Sequence, residues 1–124
     1  MRGLPSGVAA GVVELSSGMP VAFSTLDQHS KREFDLLAAA TTGLFHDTTV
    51  TTIERMDREH LASPEERREA LQQVIVQSRH MLYLFLRCRR EPDLVLVSLC
   101  RADANLGLAL MVSREALQRL ELAP

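Results

Sequence analysis

The sequence predicts an α+β domain built on a five-stranded antiparallel sheet, with the element order β-β-α-β-β-β-α. Two apolar runs, 81–86 (MLYLFL) and 94–99 (LVLVSL), have the composition of buried strands. The polar connections between the candidate strands are short, and short connections join antiparallel neighbours. Apolar residues also recur at helical spacing after the second strand and at the end of the chain. Together these three observations define the fold class.

Length and composition indicate one globular domain spanning residues 1–124. Hydrophobic residues make up 46% of the chain and charged residues 24%, as in ordinary folded domains. The net charge of -2 argues against nucleic-acid binding, which requires a strongly basic face. No secretory signal pattern opens the sequence, and the longest apolar run is far below the ~20 residues that cross a bilayer. We therefore expect a cytoplasmic protein without membrane insertion.

The first two strands are predicted to form a hairpin. They cover Val8–Leu15 and Met19–Thr25, and the turn signal Ser16-Ser17-Gly18 lies between them. Pro20 has no amide hydrogen for a strand ladder, so the second strand should lie at an edge of the sheet.

A helix is predicted to begin at Ser30, which forms a capping box with Glu33. The threonines that follow residue 47 favour a strand, but apolar residues at 50, 53 and 56 continue the helical spacing. We therefore predict one long helix that ends at about Asp57. Ser63-Pro64 indicates a further short helix or an exposed excursion. The apolar stripe of the long helix consists of Phe34, Leu37, Ala38, Thr41, Leu44 and Phe45.

Three further strands are predicted at Leu71–Ser78, Met81–Cys88 and Leu94–Cys100. The last two do not alternate between apolar and polar residues, so both of their faces should be covered. Two main helices from one chain cover a five-stranded sheet only partly. A second copy of the chain is the simplest cover for the remaining apolar surface, so we expect a homodimer.

Catalytic and metal-binding patterns are absent from the sequence. The four histidines lack metal-ligand spacing, and no glycine-rich phosphate loop or nucleophile elbow occurs. Cys88 and Cys100 lie in apolar runs and are interpreted as buried thiols. The charged run at 57–60 is interpreted as a helix end rather than an acid–base site. The arginines at 87, 89 and 90 are interpreted as a polar turn rather than an arginine finger for a GTPase. We expect no enzymatic activity, metal or cofactor.

The terminal helix begins near Leu106-Gly107, where Asp103 or Asn105 can accept hydrogen bonds from its first free amides. Gly107 would allow close approach of a neighbouring backbone. Residues 106, 110, 117 and 120 form one leucine stripe, whereas the apolar residues at 108, 111 and 112 lie off it. A helix that is apolar on more than one side contacts more than one neighbour. Core packing alone and a partner-binding face both remain open.

The sequence resembles the roadblock family, which includes the roadblock light chain of dynein and bacterial regulators of Ras-like gliding-motility GTPases. GVVELSSGMPVAFS resembles the opening hairpin of the family, and LLAAATTGLF resembles its first helix. LVLVSLCRADANLGLALMVSREALQRL is similar to its final strand, Asn-Leu-Gly junction and last helix. Ser17-Gly18 stands where the family often has Asp-Gly, and the segment 48–69 is longer than the usual connection.

The resemblance implies a profilin-like layered domain and a homodimer whose sheets join edge to edge through Leu71–Ser78. It implies a non-enzymatic regulator or scaffold that binds a small Ras-like GTPase, and activators of this kind are thought to remodel the GTPase. The alternatives are a structural adaptor dimer without a GTPase partner, and an enzyme or small-molecule sensor, for which no polar constellation is seen. The predicted partner-binding residues are Leu108, Met111, Val112 and Glu115, and the predicted dimer residues are Phe34, Leu37, Val74 and Val76.

Overall fold

The computed structural model describes residues 7–25, 30–59 and 72–122, and its strands form the predicted five-stranded antiparallel sheet. The order across the sheet is β2-β1-β5-β4-β3, and every neighbouring pair is antiparallel. β5 therefore lies at the centre, while β2 and β3 form the two edges. The strands are β1 (Gly7–Glu14), β2 (Met19–Thr25), β3 (Gln73–Gln77), β4 (Met81–Arg87) and β5 (Leu94–Arg101).

The opening hairpin follows its turn signal. Gly18 adopts a positive φ of 69°, a conformation that glycine reaches without a Cβ clash. Ser16 is fixed from outside the hairpin, because its amide and its hydroxyl both donate to the carboxylate of Asp93, at 3.0 and 2.7 Å. The pairing of β1 with β2 shifts register between Val12 and Val13, opposite Pro20. This bulge and the proline mark β2 as an edge strand, as predicted.

The helices are α1 (Ser30–His46), α2 (Thr48–Arg58) and α3 (Leu106–Leu122). The prediction of one continuous helix from Ser30 to about Asp57 is wrong, because two helices occupy this segment. Asp47 adopts an extended conformation with ψ 146°, and its carboxylate accepts the amide of Thr49 at 2.8 Å. This N-cap begins a second helix, because an extended residue cannot continue the first one. The side chain of Ser30 and the predicted segment from Ser63 lie outside what the structure describes.

One helix layer covers each face of the sheet. On the α1 face, Phe34, Ala38 and Phe45 pack against inward residues of β1, β4 and β5. On the opposite face, α3 packs on β4 and β5 through Ala109 and Leu117. The hydroxyls of Ser98 and Ser113 are also buried there and lie 3.1 Å apart. Residues 95–100 of β5 are all buried, which confirms the prediction that both faces of this strand are covered.

The close backbone approach occurs at Gly11 rather than at Gly107. A Cβ on Gly11 would lie 2.5 Å from the carbonyl oxygen of Ala22 and 2.6 Å from the Phe34 ring. A Cβ on Gly107 would meet only Asn105 Oδ1 within 4 Å among the described residues, at 3.5 Å. Gly11 therefore lets the Phe34 ring lie directly on β1, which fixes the height of α1 above the sheet.

Candidate protein-binding surfaces

The outer face of α3 carries the four predicted partner-binding residues. Asn105 caps the helix, since its Oδ1 accepts the amide of Leu108 at 3.0 Å. The inward face is defined by buried residues at 109, 113 and 117, four residues apart. The outward residues are Leu108, which is 42% exposed, Met111, which is 51% exposed, half-buried Val112 and exposed Glu115. Their spacing of three and four residues places them on one side of the helix. We call this set the α3 surface.

The α3 surface differs from an ordinary solvated helix face. Single exposed apolar residues are common on proteins, whereas contiguous large ones are typical of surfaces that contact other molecules. Leu106, at the start of the same helix, is also exposed. The helix fills the core with its opposite side, and Leu106, Leu108 and Met111 leave large apolar area exposed in the described chain.

The second surface is the outer edge of β3. Its five residues, QVIVQ, contain no charge and no proline, and their register with β4 is regular. Val74 and Val76 point to the α1 face, opposite Phe85 and Tyr83, whereas Ile75 points to the α3 face. Among the described strands β3 pairs only with β4, so the amides and carbonyls of its other side face outward.

A shallow groove of about 260 Å³ lies beside this edge on the α1 face. It brings together Leu37 and Val76, two of the predicted dimer residues, and Val74 packs against the same core cluster. Ala40 is the small residue in the wall of the groove that α1 forms. The lining residues are Leu37, Ala40, Thr41, Leu44, Val76, Tyr83 and Phe85.

Phe34, the fourth predicted dimer residue, lies elsewhere. Its side chain is fully buried, and its ring centroid is 4.7 Å from that of Phe23 on β2. It therefore packs on the β1–β2 half of the sheet, away from the β3 edge. Phe34 offers no exposed atom to a second chain, and its role is to hold α1 on the sheet.

Arg87 has a structural role that its position in the sequence does not predict. β4 ends at this residue, and its guanidinium lies over the Phe45 ring, 5.0 Å from the centroid. Its Nη1 is 3.6 Å from Glu54 Oε2 of α2, and its buried Nε has no hydrogen-bond partner among the described residues. The side chain is nine-tenths buried, so this is an interior contact between α2 and the sheet rather than part of a polar turn.

The two cysteines are free and buried, as predicted. Burial raises the pKa of the Cys100 thiol, because the interior disfavours the thiolate. Within residues 7–25, 30–59 and 72–122, no three His, Cys, Asp or Glu side chains converge in a metal-binding arrangement. No helix in the same ranges is long and apolar enough to span a membrane.

Comparisons with known proteins connect this arrangement to a fold. No protein-family model and no curated protein matches the sequence. Many solved structures are similar in shape, among them two MglB proteins and a Roadblock/LC7 domain. The gliding protein MglB of Thermus thermophilus has a TM-score of 0.68 at 17% identity, over 95% of this chain and 78% of that one. An MglB with a tetrameric arrangement has a TM-score of 0.67 at 13% identity, over 95% and 77%.

The third similar structure is a Roadblock/LC7 domain from Streptomyces avermitilis. It has a TM-score of 0.54 at 17% identity, and the match covers 94% of this chain and 87% of that domain. At such low identities the likeness concerns the fold, and the three structures agree with each other on it. The strand order, the helix on each face of the sheet and these matches lead to one identification: the chain has the roadblock fold.

Proposed function

We propose that this protein is a non-enzymatic homodimeric regulator that binds a small Ras-like GTPase. The observation that carries the proposal is the α3 surface, where Leu108 and Met111 stand exposed on a helix whose other side already fills the core. Such a face gains free energy only when another protein covers it. The choice of a Ras-like GTPase rests on the roadblock resemblance and on the similarity to gliding protein MglB.

Dimerisation is proposed through the β3 edge. A second copy that pairs antiparallel with β3 would satisfy the outward amides and carbonyls of both chains. It would also bring its α1 toward the groove at Leu37 and Val76, where Ala40 allows close helix contact. The tetrameric arrangement of an MglB supports self-association as a property of this fold.

The proposed dimer also determines where the partner-binding helices lie. Opposed residues of an antiparallel strand pair point to the same face of the sheet. The two copies therefore keep their α3 surfaces on one face of the joined sheet and their α1 helices on the other. A GTPase that approaches the α3 surface meets three apolar side chains, Leu108, Met111 and Val112, and the carboxylate of Glu115, and this set contains no arginine. Regulation would then act by preferential binding to one conformation of the GTPase, which shifts its population.

The test is a binding measurement with a Ras-like GTPase from the same genome, loaded in turn with GDP and with a non-hydrolysable GTP analogue. We expect the affinities for the two states to differ at least tenfold. Met111→Glu should abolish binding, because it places a charge within the apolar contact. Met56→Glu is the matched control, since Met56 is also an exposed helical methionine, 59% exposed on α2.

Three results would count against this proposal. Equal binding to both nucleotide states would indicate an adaptor rather than a regulator. Absence of binding to either state would remove the GTPase from the proposal altogether. An equal effect of the two methionine substitutions would show that the α3 surface is not the contact.

A further inference from the structure

The helices α1 and α3 lie over different halves of the sheet, on opposite faces. The backbone of α1 approaches β1 and β2, whereas the backbone of α3 approaches β4 and β5. Among the described residues, no Cα atom of α3 lies within 8 Å of one in β1 or β2. Each face therefore has an area that neither helix covers. The area beside β3 on the α1 face adjoins the proposed dimer edge, and the area over β1 and β2 lies on the α3 face.

A groove of about 330 Å³ marks this second area. Val12 of its floor belongs to the same core cluster as Leu117 of α3, so Ala22, the strand partner of Val12, also points to the α3 face. Ala22 is exposed, and Ala116 forms the wall of the groove on the side of α3. Small side chains allow a neighbouring backbone to approach closely. The other small residues of the lining are Ala10, Gly11 and Ser24.

The dimensions of the area over β1 and β2 fit one α-helix. Neighbouring strands lie about 4.8 Å apart, so the middle of the β4–β5 pair and the middle of the β1–β2 pair are about 10 Å apart. The axes of packed helices are also about 8–10 Å apart. A helix over β1 and β2 would therefore contact the floor of the groove and α3 at the same time. An added strand would instead require a free sheet edge, which the face of a sheet does not offer.

The rim of the groove provides a positive charge and a link to the α3 surface. Arg119 is exposed and is the one charged residue of the described lining. Its guanidinium has no carboxylate or other hydrogen-bond partner among the described residues. Ala116 follows Val112 by one helical turn, so the wall of the groove continues into the α3 surface. A molecule that covers Val112 therefore reaches the groove, where a carboxylate beside Arg119 would be favourable.

We propose that this groove binds an α-helix of the partner protein, which places an aliphatic side on the floor and a glutamate or aspartate beside Arg119. The bound helix would complete the helix layer on the α3 face and bury apolar area of both proteins. The proposal rests on the proposed function for the identity of the partner. The groove, its width and its charge belong to this chain alone, so the site can be tested without a GTPase.

The probes are two capped, alanine-rich peptides of about 18 residues, long enough to be helical in water. Both carry leucines on one side, and they differ only in a flanking residue, which is glutamate or lysine. Each is titrated into the isotopically labelled full chain and followed by amide chemical shifts. We expect saturable shifts at residues 22, 24, 116 and 119, and about threefold or more tighter binding of the glutamate peptide. Shifts that do not saturate, shifts centred on Leu37 and Val76, or equal affinity for both peptides would overturn the proposal.

Two variants locate the bound helix. Ala22→Arg should weaken the binding of both peptides about tenfold or more, because its long side chain would occupy the space above the floor. Val21→Arg is the matched control, since Val21 is the preceding residue of β2, is 60% exposed and is not part of the lining. Arg119→Glu should reverse the preference between the peptides, whereas Arg101→Glu, the same charge change on an exposed residue at the end of β5, should leave it unchanged.

The assignment fails if Ala22→Arg binds as the wild type does, if Val21→Arg weakens binding equally, or if Arg119→Glu keeps the original preference. The groove and the proposed function can also fail separately. Peptide binding at the groove by a chain that binds no GTPase would support the groove and overturn the proposed regulator. GTPase binding by a chain that binds neither peptide would support the regulator and overturn the groove.

Discussion

Val76→Lys should convert the proposed dimer to a monomer at micromolar concentration. Val76 is 40% exposed in the single chain. Full burial of a valine side chain stabilises a structure by about 1.5–3 kcal/mol. Burial of the 40% of Val76 that is exposed in the single chain would therefore stabilise the dimer by about 0.6–1.2 kcal/mol per copy. Two copies lose about 1.2–2.4 kcal/mol, which raises the dimer dissociation constant roughly tenfold to fiftyfold. The introduced charges increase the effect, because the two-fold interface brings both lysines to it.

The assay is light scattering coupled to size exclusion, with sedimentation velocity as a second measurement. The wild type should have twice the single-chain mass of 13.8 kDa, and the variant should shift to the single-chain value. Val21→Lys is the matched control, because Val21 is a 60% exposed valine on β2, the other edge of the same sheet. A wild-type mass near that of one chain would refute the argument from the β3 edge. A control that dissociates as strongly as Val76→Lys would place the interface elsewhere.

Two further predictions concern the core that positions these surfaces. Gly11→Ala should lower the free energy of unfolding, measured by urea denaturation, by about 1–3 kcal/mol, because the new Cβ would meet the Phe34 ring and the Ala22 carbonyl. Unchanged stability would contradict the close packing of α1 on β1. Ser98→Ala should lower the free energy of unfolding by about 1–3 kcal/mol, because it leaves the buried Ser113 hydroxyl without its partner. The double variant with Ser113→Ala should recover most of that loss. Additive losses in this cycle would mean that the two hydroxyls do not interact.

The strand pattern was predictable because its signals are local. Turn residues at 16–18 and the two non-alternating runs specify four of the five strands. The alternation of β3 specifies the fifth, and it assigns Val74 and Val76 to one face and Ile75 to the other. The break at Asp47 was missed because two local signals compete there. The apolar spacing continues through residues 50, 53 and 56, while an aspartate followed by two threonines provides a cap, and the cap determines the backbone.

The features that were not predicted depend on contacts between residues far apart in sequence. Phe34 belongs to the apolar stripe of α1, but only the absence of a side chain at Gly11 determines that its ring lies against β1. Arg114 of α3 donates a hydrogen bond to Gln73 of β3, and no single segment of the sequence predicts that contact. The stripe of α3 was predictable as excess apolar surface, because helical periodicity alone shows that one helix has two apolar sides.

The two edges of the sheet explain why association should occur at β3 rather than at β2. Both edges expose valine, so hydrophobicity alone does not distinguish them. β2 contains Pro20 beside a register shift, and both features interrupt a regular ladder with a new strand. β3 has regular register, no charge and no proline, and an apolar groove lies next to it on the α1 face. Natural sheets usually block such an edge against pairing. Among the described residues, the β3 edge has no strand beside it and adjoins a groove, whereas the β2 edge is irregular, and this difference favours one specific dimer over open-ended association.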